Sequence, residues 1–292
     1  MDIDAAINLI QKSGEYKILK RLPVISSVND ALPEILLGII VDVETTGLDP
    51  FADDVIELGL IKFQFDREGR IGKVINKYQS FNEPKIPIPD LITELTGIKT
   101  EDVKGKRVSV TELKEFIKDV SLVIAHNAAF DRPFCEALLP DFSELPWACS
   151  ATEIPWRAEL IGGNKLEYIA YSFDVFFDAH RALDDCNALL NILSFTLPRS
   201  NKLAMSVLLD NARRTEIRIV IENAPYECRT TLKQLGYKWN DGTNSYPKGW
   251  WKNVSNETVT TQLASLENVI DPKLTKVQQF NLTAKTRFRR HS

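Results

Sequence analysis

Four cysteines in 292 residues, none of them in a C-x-x-C pair, are too few and too scattered for a disulfide framework or a zinc ribbon. Cys135, Cys149, Cys186 and Cys228 read instead as small buried thiols in a reducing compartment, which points to a cytoplasmic protein. Long apolar runs are missing as well. None approaches the roughly 20 residues needed to cross a bilayer. The acidic, amphipathic beginning has no basic n-region followed by an apolar h-region, so neither a membrane span nor a secretory leader is expected. A basic excess is also absent: 36 Lys and Arg against 40 Asp and Glu leave a formal net charge of −4. The chain as a whole therefore does not attract a polyanion, and nucleic-acid binding must come from metal ions or a local basic patch. Internal repeats and low-complexity segments do not stand out. What remains, 44% apolar and 26% charged residues, describes a globular chain long enough for one large domain or two ordinary ones.

The most informative stretch is Val41-Asp42-Val43-Glu44-Thr45-Thr46-Gly47-Leu48-Asp49. The apolar run Ile35–Val41 leads into it and reads as a strand buried on both faces, in the middle of a sheet. Strand side chains alternate, so Asp42 and Glu44 project to the same side. Two like charges beside a buried strand are costly unless a positive charge sits between them, and hard oxygen ligands suit magnesium or manganese. The ordinary explanation is a solvated strand end followed by a glycine turn.

Downstream, 54–65 reads as a second strand and 72–80 as a third, separated by the polar turn Asp66-Arg67-Glu68-Gly69. A short helix over 90–97 ends at Gly97, and an amphipathic helix covers 111–120. Residues 121–125 form a short buried strand. A helix is expected from Asp131 through Leu139, with Pro133 in its first turn. Further helices are expected over 165–173 and 180–193, the second with His180 at its start and Asp185 one and a half turns in. A strand meander followed by alternating helices predicts a mixed α/β sheet with helices on its faces. Residues 1–34 form an extension with a helix around 4–10 and a loop after residue 16.

Three acidic stations emerge: Asp42 with Glu44, Asp131, and Asp185 with His180 nearby. Singly, Asp131 is a helix N-terminal charge, and His180 and Asp185 are a cap and a solvated acid. Together they are the inventory of two-metal phosphoryl transfer: carboxylates around a pair of ions, and a histidine able to take a proton near neutral pH.

The order Asp42-x-Glu44-Thr45-Thr46-Gly47-Leu48, then His126-Asn127-Ala128-Ala129-Phe130-Asp131, then His180-x-Ala182-x-x-Asp185 resembles the three motifs of the DEDDh 3′→5′ exonucleases. It is similar above all to the epsilon proofreading subunits of bacterial DNA polymerase III. The resemblance covers roughly 36–197. It implies an RNase H-like fold, a five-stranded mixed sheet flanked by helices with the Asp42–Glu44 strand at its centre. It implies two Mg2+ or Mn2+ ions and the release of nucleoside 5′-monophosphates from DNA 3′ ends. By position, Asp42, Glu44 and Asp185 would bind the ion that activates water, and Asp42 would share the second. Asp131 would act on the second site through water, and His180 would be the general base. Thr45 and Leu48 would lie beside the terminal nucleotide. Asn127 would line the cleft or cap a helix, and His126 would be structural or touch substrate. Exoribonucleases of the same class share these motifs. A catalytically inactive binding module is the remaining alternative, although no matched position is missing.

From about residue 200 the character changes to a helical connector (202–214) and a small α+β domain with strands at 216–222 and around 238–252. The domain expectation is therefore an extension over 1–34, an exonuclease domain over 35–199, and a connector with accessory domain over 200–292. Tyr237, Trp239, Trp250 and Trp251 sit among Arg229, Lys233, Lys238, Lys248 and Lys252. They form either the small domain's core or a surface that stacks bases. A basic strip runs from Lys273 through Lys276, Lys285, Arg287, Arg289 and Arg290. Epsilon subunits follow their catalytic domain with a short polymerase-binding tail, so a folded domain here points to a stand-alone or repair-type enzyme. Nucleic acid, DNA before RNA, is the expected partner, with a polymerase or repair protein beside it.

Overall fold

The computed structural model describes residues 2–242, 246–267, 269–271 and 274–289. The chain divides into two compact units, Met1–Asn211 and Ala212–Ser292.

The first unit opens with α1 (Ile3–Ser13), ended by Gly14 in the left-handed conformation, and the two-residue strand β1 (Lys20–Arg21). The meander follows as β2 (Leu36–Thr45), β3 (Val55–Phe65) and β4 (Ile71–Phe81). After it come α2 (Asp90–Thr96), α3 (Thr100–Val103), α4 (Val110–Ile117) and β5 (Leu122–Ala125). Then follow α5 (Ala128–Leu138), β6 (Trp147–Cys149), α6 (Ser150–Glu153), α7 (Leu166–Ser172), β7 (Val175–Phe176), α8 (Ala182–Ser194) and α9 (Ala204–Ala212). Five strands form the mixed sheet β4-β3-β2-β5-β6, antiparallel through the meander and parallel from β2 to β6. This is the RNase H-like arrangement, with β2 central and Ile39, Ile40 and Val41 buried.

Several elements differ from the sequence expectation. Helix α5 begins at Ala128, because the Asn127 carbonyl accepts both the Phe130 and the Asp131 N–H (2.7 and 3.2 Å) and closes the first turn early. Pro133 thus lies inside the helix, where its missing N–H removes one ladder bond while Phe134 and Cys135 bury their side chains. Helix α8 begins at Ala182, not at His180, whose φ of 68° is left-handed and cannot belong to an α-helix. Helix α4 stops at Ile117, since Asp119 also takes a positive φ. Strand β6 has only three residues, too short to show alternation in sequence.

Residues 20–28 run along this unit as a strap. β1 pairs in parallel with β7, and Ser26 and Val28 exchange backbone bonds with Val74 and Gly72. The Asn187 amide of α8 donates to the Pro23 carbonyl (2.9 Å) and accepts from the Ile25 N–H (3.2 Å).

The second unit contains β8 (Glu216–Glu222), α10 (Arg229–Gln234), β9 (Lys238–Asn240), β10 (Gly249–Ser255), α11 (Val259–Glu267) and β11 (Lys276–Leu282). Its four strands form an antiparallel sheet in the order β11-β8-β10-β9. Asn256 lies in the turn ahead of α11. Of the expected basic strip, Lys273 and Arg290 lie outside the described residues.

Among the described residues no helix is long and apolar enough to cross a membrane. All four cysteines are free, with Cys135, Cys149 and Cys186 buried.

Candidate active site

The C-terminal half of β2 carries the first two carboxylates. Asp42 lies opposite Gly59 and Glu44 opposite Glu57 in the β2–β3 ladder, so all four positions share one face of the sheet. The register shifts immediately after Glu44, where Thr45 pairs with Val55, a bulge at the point where the strand leaves the sheet. Gly59 has a specific task. A Cβ there would stand 2.5 Å from the carbonyl carbon of Ala182 and 2.7 Å from the Leu183 nitrogen. Only glycine lets the first turn of α8 touch the sheet, and that contact brings Asp185 to the β2 acids.

Carboxylate oxygens of Asp42, Glu44 and Asp185 all lie within 4.8 Å of one another. Asp185 occupies the first turn of α8, where its carboxylate also accepts the Arg181 N–H at 3.1 Å. Asp131, on α5, is only 3% exposed and lines the same cavity without joining that group of three. The cavity measures about 420 Å³ and is also lined by His126, Asn127, Glu167 and His180.

Burial and crowding set the proton affinities of these acids. Asp42 is held well above the usual carboxylate range, first by burial and then by repulsion from Asp131, Asp185 and Glu44. Burial raises Glu44 to about 8, with Asp185 adding repulsion. Burial likewise lifts Asp131 to about 7, against hydrogen bonds from the backbone at Val43 and Asn127, and Asp185 to about 7. Among the described residues no Lys, Arg or His nitrogen forms an ion pair with any of the four. An all-oxygen donor set this close, half-buried and without an ion-paired cation fits a hard divalent cation such as Mg2+ or Mn2+.

The two histidines part company. His180 is nearly half exposed and faces the cavity from its left-handed position, with Nε2 3.9 Å from Glu167 Oε1. His126 uses both ring nitrogens: Nε2 lies 2.7 Å from the Asn164 carbonyl and Nδ1 2.8 Å from Ser150 Oγ. The carbonyl can only accept, so Nε2 carries the proton, and burial lowers the ring's proton affinity. Asn127 provides its carbonyl to the start of α5 while its side chain makes no capping bond. Thr45 is buried, its hydroxyl donating to the Gly47 carbonyl (2.6 Å), and neither it nor Leu48 is part of the cavity lining. Leu48 stands 84% exposed on the loop that follows β2, together with exposed Phe51.

Sequence reasoning missed Glu57, Arg181 and Glu167. The signal for Glu57 was available, as the one acid within an otherwise apolar strand run from Val55 to Ile61. For Arg181 and Glu167, adjacency to the site exists only in the folded chain.

The exonuclease family model RNase_T matches residues 39–193. A PolC-type DNA polymerase III of Thermotoga petrophila is 30% identical over 226 residues, which are 73% of this chain and 16% of the relative. That of Clostridium perfringens is 31% identical over 167 residues, 55% of this chain and 11% of the relative. The chain thus spans about a sixth or less of the curated relatives it matches. Among solved structures, E. coli Exonuclease I in complex with a dA16 oligonucleotide shares the fold with a TM-score of 0.52 at 12% identity, over 82% of this chain and 68% of that one. The zinc-bound E. coli ExoI–ssDNA complex gives 0.51, also at 12% identity, over 82% and 69%.

Proposed function

As the chain belongs to the RNase_T exonuclease family, we propose that it is a metal-dependent 3′→5′ exonuclease that trims DNA 3′ ends to nucleoside 5′-monophosphates. The observation carrying this reading is the convergence of Asp42, Glu44 and Asp185 oxygens within 4.8 Å in a cavity that also presents Asp131 and His180. Asp42, Glu44 and Asp185 would hold one Mg2+ or Mn2+, with Asp42 and Asp131 serving a second. The ions would neutralise the phosphodiester and the charge that develops on it in the transition state.

The chain's own groups do the rest. His180 faces the cavity from outside its helix and takes the proton of the attacking water, with Glu167 Oε1 3.9 Å from its Nε2. The Gly59–Ala182 contact and the Arg181 N–H fix Asp185. His126, with both nitrogens occupied, orients the cavity wall instead of moving protons. Asn127 contacts the polymer from that wall. Exposed Leu48 serves as an apolar wedge against the last base, above buried Thr45.

The likeness to a stretch of PolC-type DNA polymerase III supports DNA as the polymer and DNA synthesis or repair as the setting, with a polymerase or repair protein as partner. A cytoplasmic location accords with the free, mostly buried thiols.

The test is direct. Protein with Mg2+ and a 5′-labelled single-stranded oligonucleotide should yield a descending ladder that a chelator abolishes and Asp42→Ala does not produce. Immediate release of the label as a mononucleotide would reverse the polarity. An inert wild type on DNA and on an RNA of the same sequence would sink the reading.

A further inference from the structure

The second unit has the strand and helix order β-α-β-β-α-β, folded into a sheet whose two helices pack on one face. Ile219 and Ile221 of β8 and Trp250 and Val254 of β10 meet Leu232 of α10 and Leu266 of α11 there. The tryptophan cluster therefore divides. Tyr237 and Trp250 are core, whereas Trp251, one residue on, points to the other face.

That other face alternates cations with aromatic rings. Lys238, Trp251 and Val220 stand in register across β9, β10 and β8, with Asn253, Arg218 and Phe280 in the next row across β10, β8 and β11. The Arg218 guanidinium lies 4.3 Å from the Trp251 ring centroid and 4.3 Å from that of Tyr246. Lys238 Nζ is 5.6 Å from Trp251, and Tyr246 meets Phe280 edge-on at 5.2 Å. Arg218 Nε donates to Asn253 Oδ1 at 2.8 Å, which holds the guanidinium between the rings. The acids of this face, Glu216 and Glu222, sit at the two ends of β8, and Glu222 is paired with Lys276 at 3.1 Å.

Charge supports the same conclusion. Residues 212–292 contain fourteen Lys and Arg against seven Asp and Glu, a net charge of +7, whereas residues 1–211 contain twenty-two against thirty-three, a net charge of −11. The overall −4 conceals this division. A polyanion is repelled by the unit that carries the carboxylate cavity and attracted by the other.

We infer that the Lys238–Trp251–Arg218–Phe280 face of the second sheet is a binding site for single-stranded nucleic acid, separate from the carboxylate cavity. Bases stack on the accessible part of the half-buried Trp251 and Phe280 rings, which is indifferent to sequence, exposed Lys238 takes a phosphate, and half-buried Arg218 adds its charge from between the rings. An acidic peptide would use the cations and leave the rings idle. Linked in one chain to the first unit, this site keeps a long strand at high local concentration without any contact to the scissile bond.

The experiment uses the full chain in a chelator, so that no turnover occurs and the result is independent of the exonuclease reading. Fluorescence anisotropy with labelled 20-nucleotide DNA and RNA single strands reads affinity, and the two arms tell which sugar is preferred. Trp251→Ala is expected to weaken binding on the order of tenfold, the loss of one stacked base. Lys238→Glu, at an exposed position, should weaken it several-fold. Lys233→Glu on α10, on the opposite face of the sheet, makes the same charge change and should stay within about twofold. Circular dichroism checks the fold of Trp251→Ala, and if that variant does not fold Lys238→Glu decides alone. Wild-type affinity in Lys238→Glu, an equal loss in Lys233→Glu, or equal displacement by polyglutamate would overturn the assignment.

Discussion

Arg181 and Glu57 form a two-pronged ion pair directly behind the carboxylate cluster, with Nη2 3.1 Å from Oε1 and Nε 3.2 Å from Oε2. Glu57 is fully buried and lies across the ladder from Glu44, so its charge presses on the site while the arginine offsets it. The same carboxylate accepts the Ala182 N–H at 3.2 Å and the Gln79 amide at 2.7 Å, anchoring the first turn of α8 to the sheet.

Glu57→Gln keeps the volume and removes the charge, leaving the half-exposed Arg181 unpaired. Breaking one side of such a pair costs about 1–3 kcal/mol once the arginine's exposure is allowed for. Thermal melting should show that loss. The magnesium concentration for half-maximal activity should rise several-fold, because one negative charge beside the cation site is gone. Unchanged values of both would mean that the pair does not position the site.

Gly59→Ala places a methyl group against backbone, which cannot rotate away. Overpacking of this kind costs about 1–3 kcal/mol. Displacing Ala182 also moves Asp185 from Asp42 and Glu44, so activity should fall more steeply than stability. A variant that melts and cuts like wild type would show that α8 can shift without consequence.

The four carboxylates make stability depend on pH in an unusual direction. Their folded-state proton affinities are raised, with Glu44 near 8 and Asp131 and Asp185 near 7, against ordinary carboxylate values near 4 in the unfolded chain. Between about pH 4 and 8 the folded state holds more protons than the unfolded one, so metal-free protein loses stability as pH rises through that window. Melting in a chelator should drop in temperature from pH 5 to pH 8. Added Mg2+ should raise it more at pH 8, where the ligands are ionised, than at pH 6. A melting temperature that climbs from pH 5 to 8 in chelator would contradict the burial of these charges.

His180→Asn suits the left-handed backbone at that position, since asparagine tolerates a positive φ. Stability should change by no more than about 0.5 kcal/mol. Activity should fall by about 10²–10⁴-fold, the usual contribution of a general base. Retained activity would remove His180 from the reaction.

Much of this protein was legible in one dimension. The alternation in Val41–Glu44 placed both acids on one face because strand periodicity is local, and the buried run before them marked the central strand. The resemblance of three ordered motifs joined Asp131, His180 and Asp185 to them, since the order of motifs along the chain is itself a property of the sequence. The start of α8 was misread by two residues because periodicity continues through His180, while the turn there is imposed by Asp185 accepting the Arg181 N–H and by Glu57 receiving the Ala182 N–H. Pairing between residues 125 positions apart leaves no local trace. The same holds in the second unit, where adjacent Trp250 and Trp251 are indistinguishable as letters. Sequence alone determined which residue types, in which order, could hold metal and polymer. Tertiary structure decided which glutamate braces the site, how closely α8 approaches Gly59, and which tryptophan faces the core, because each of these depends on what lies across the sheet.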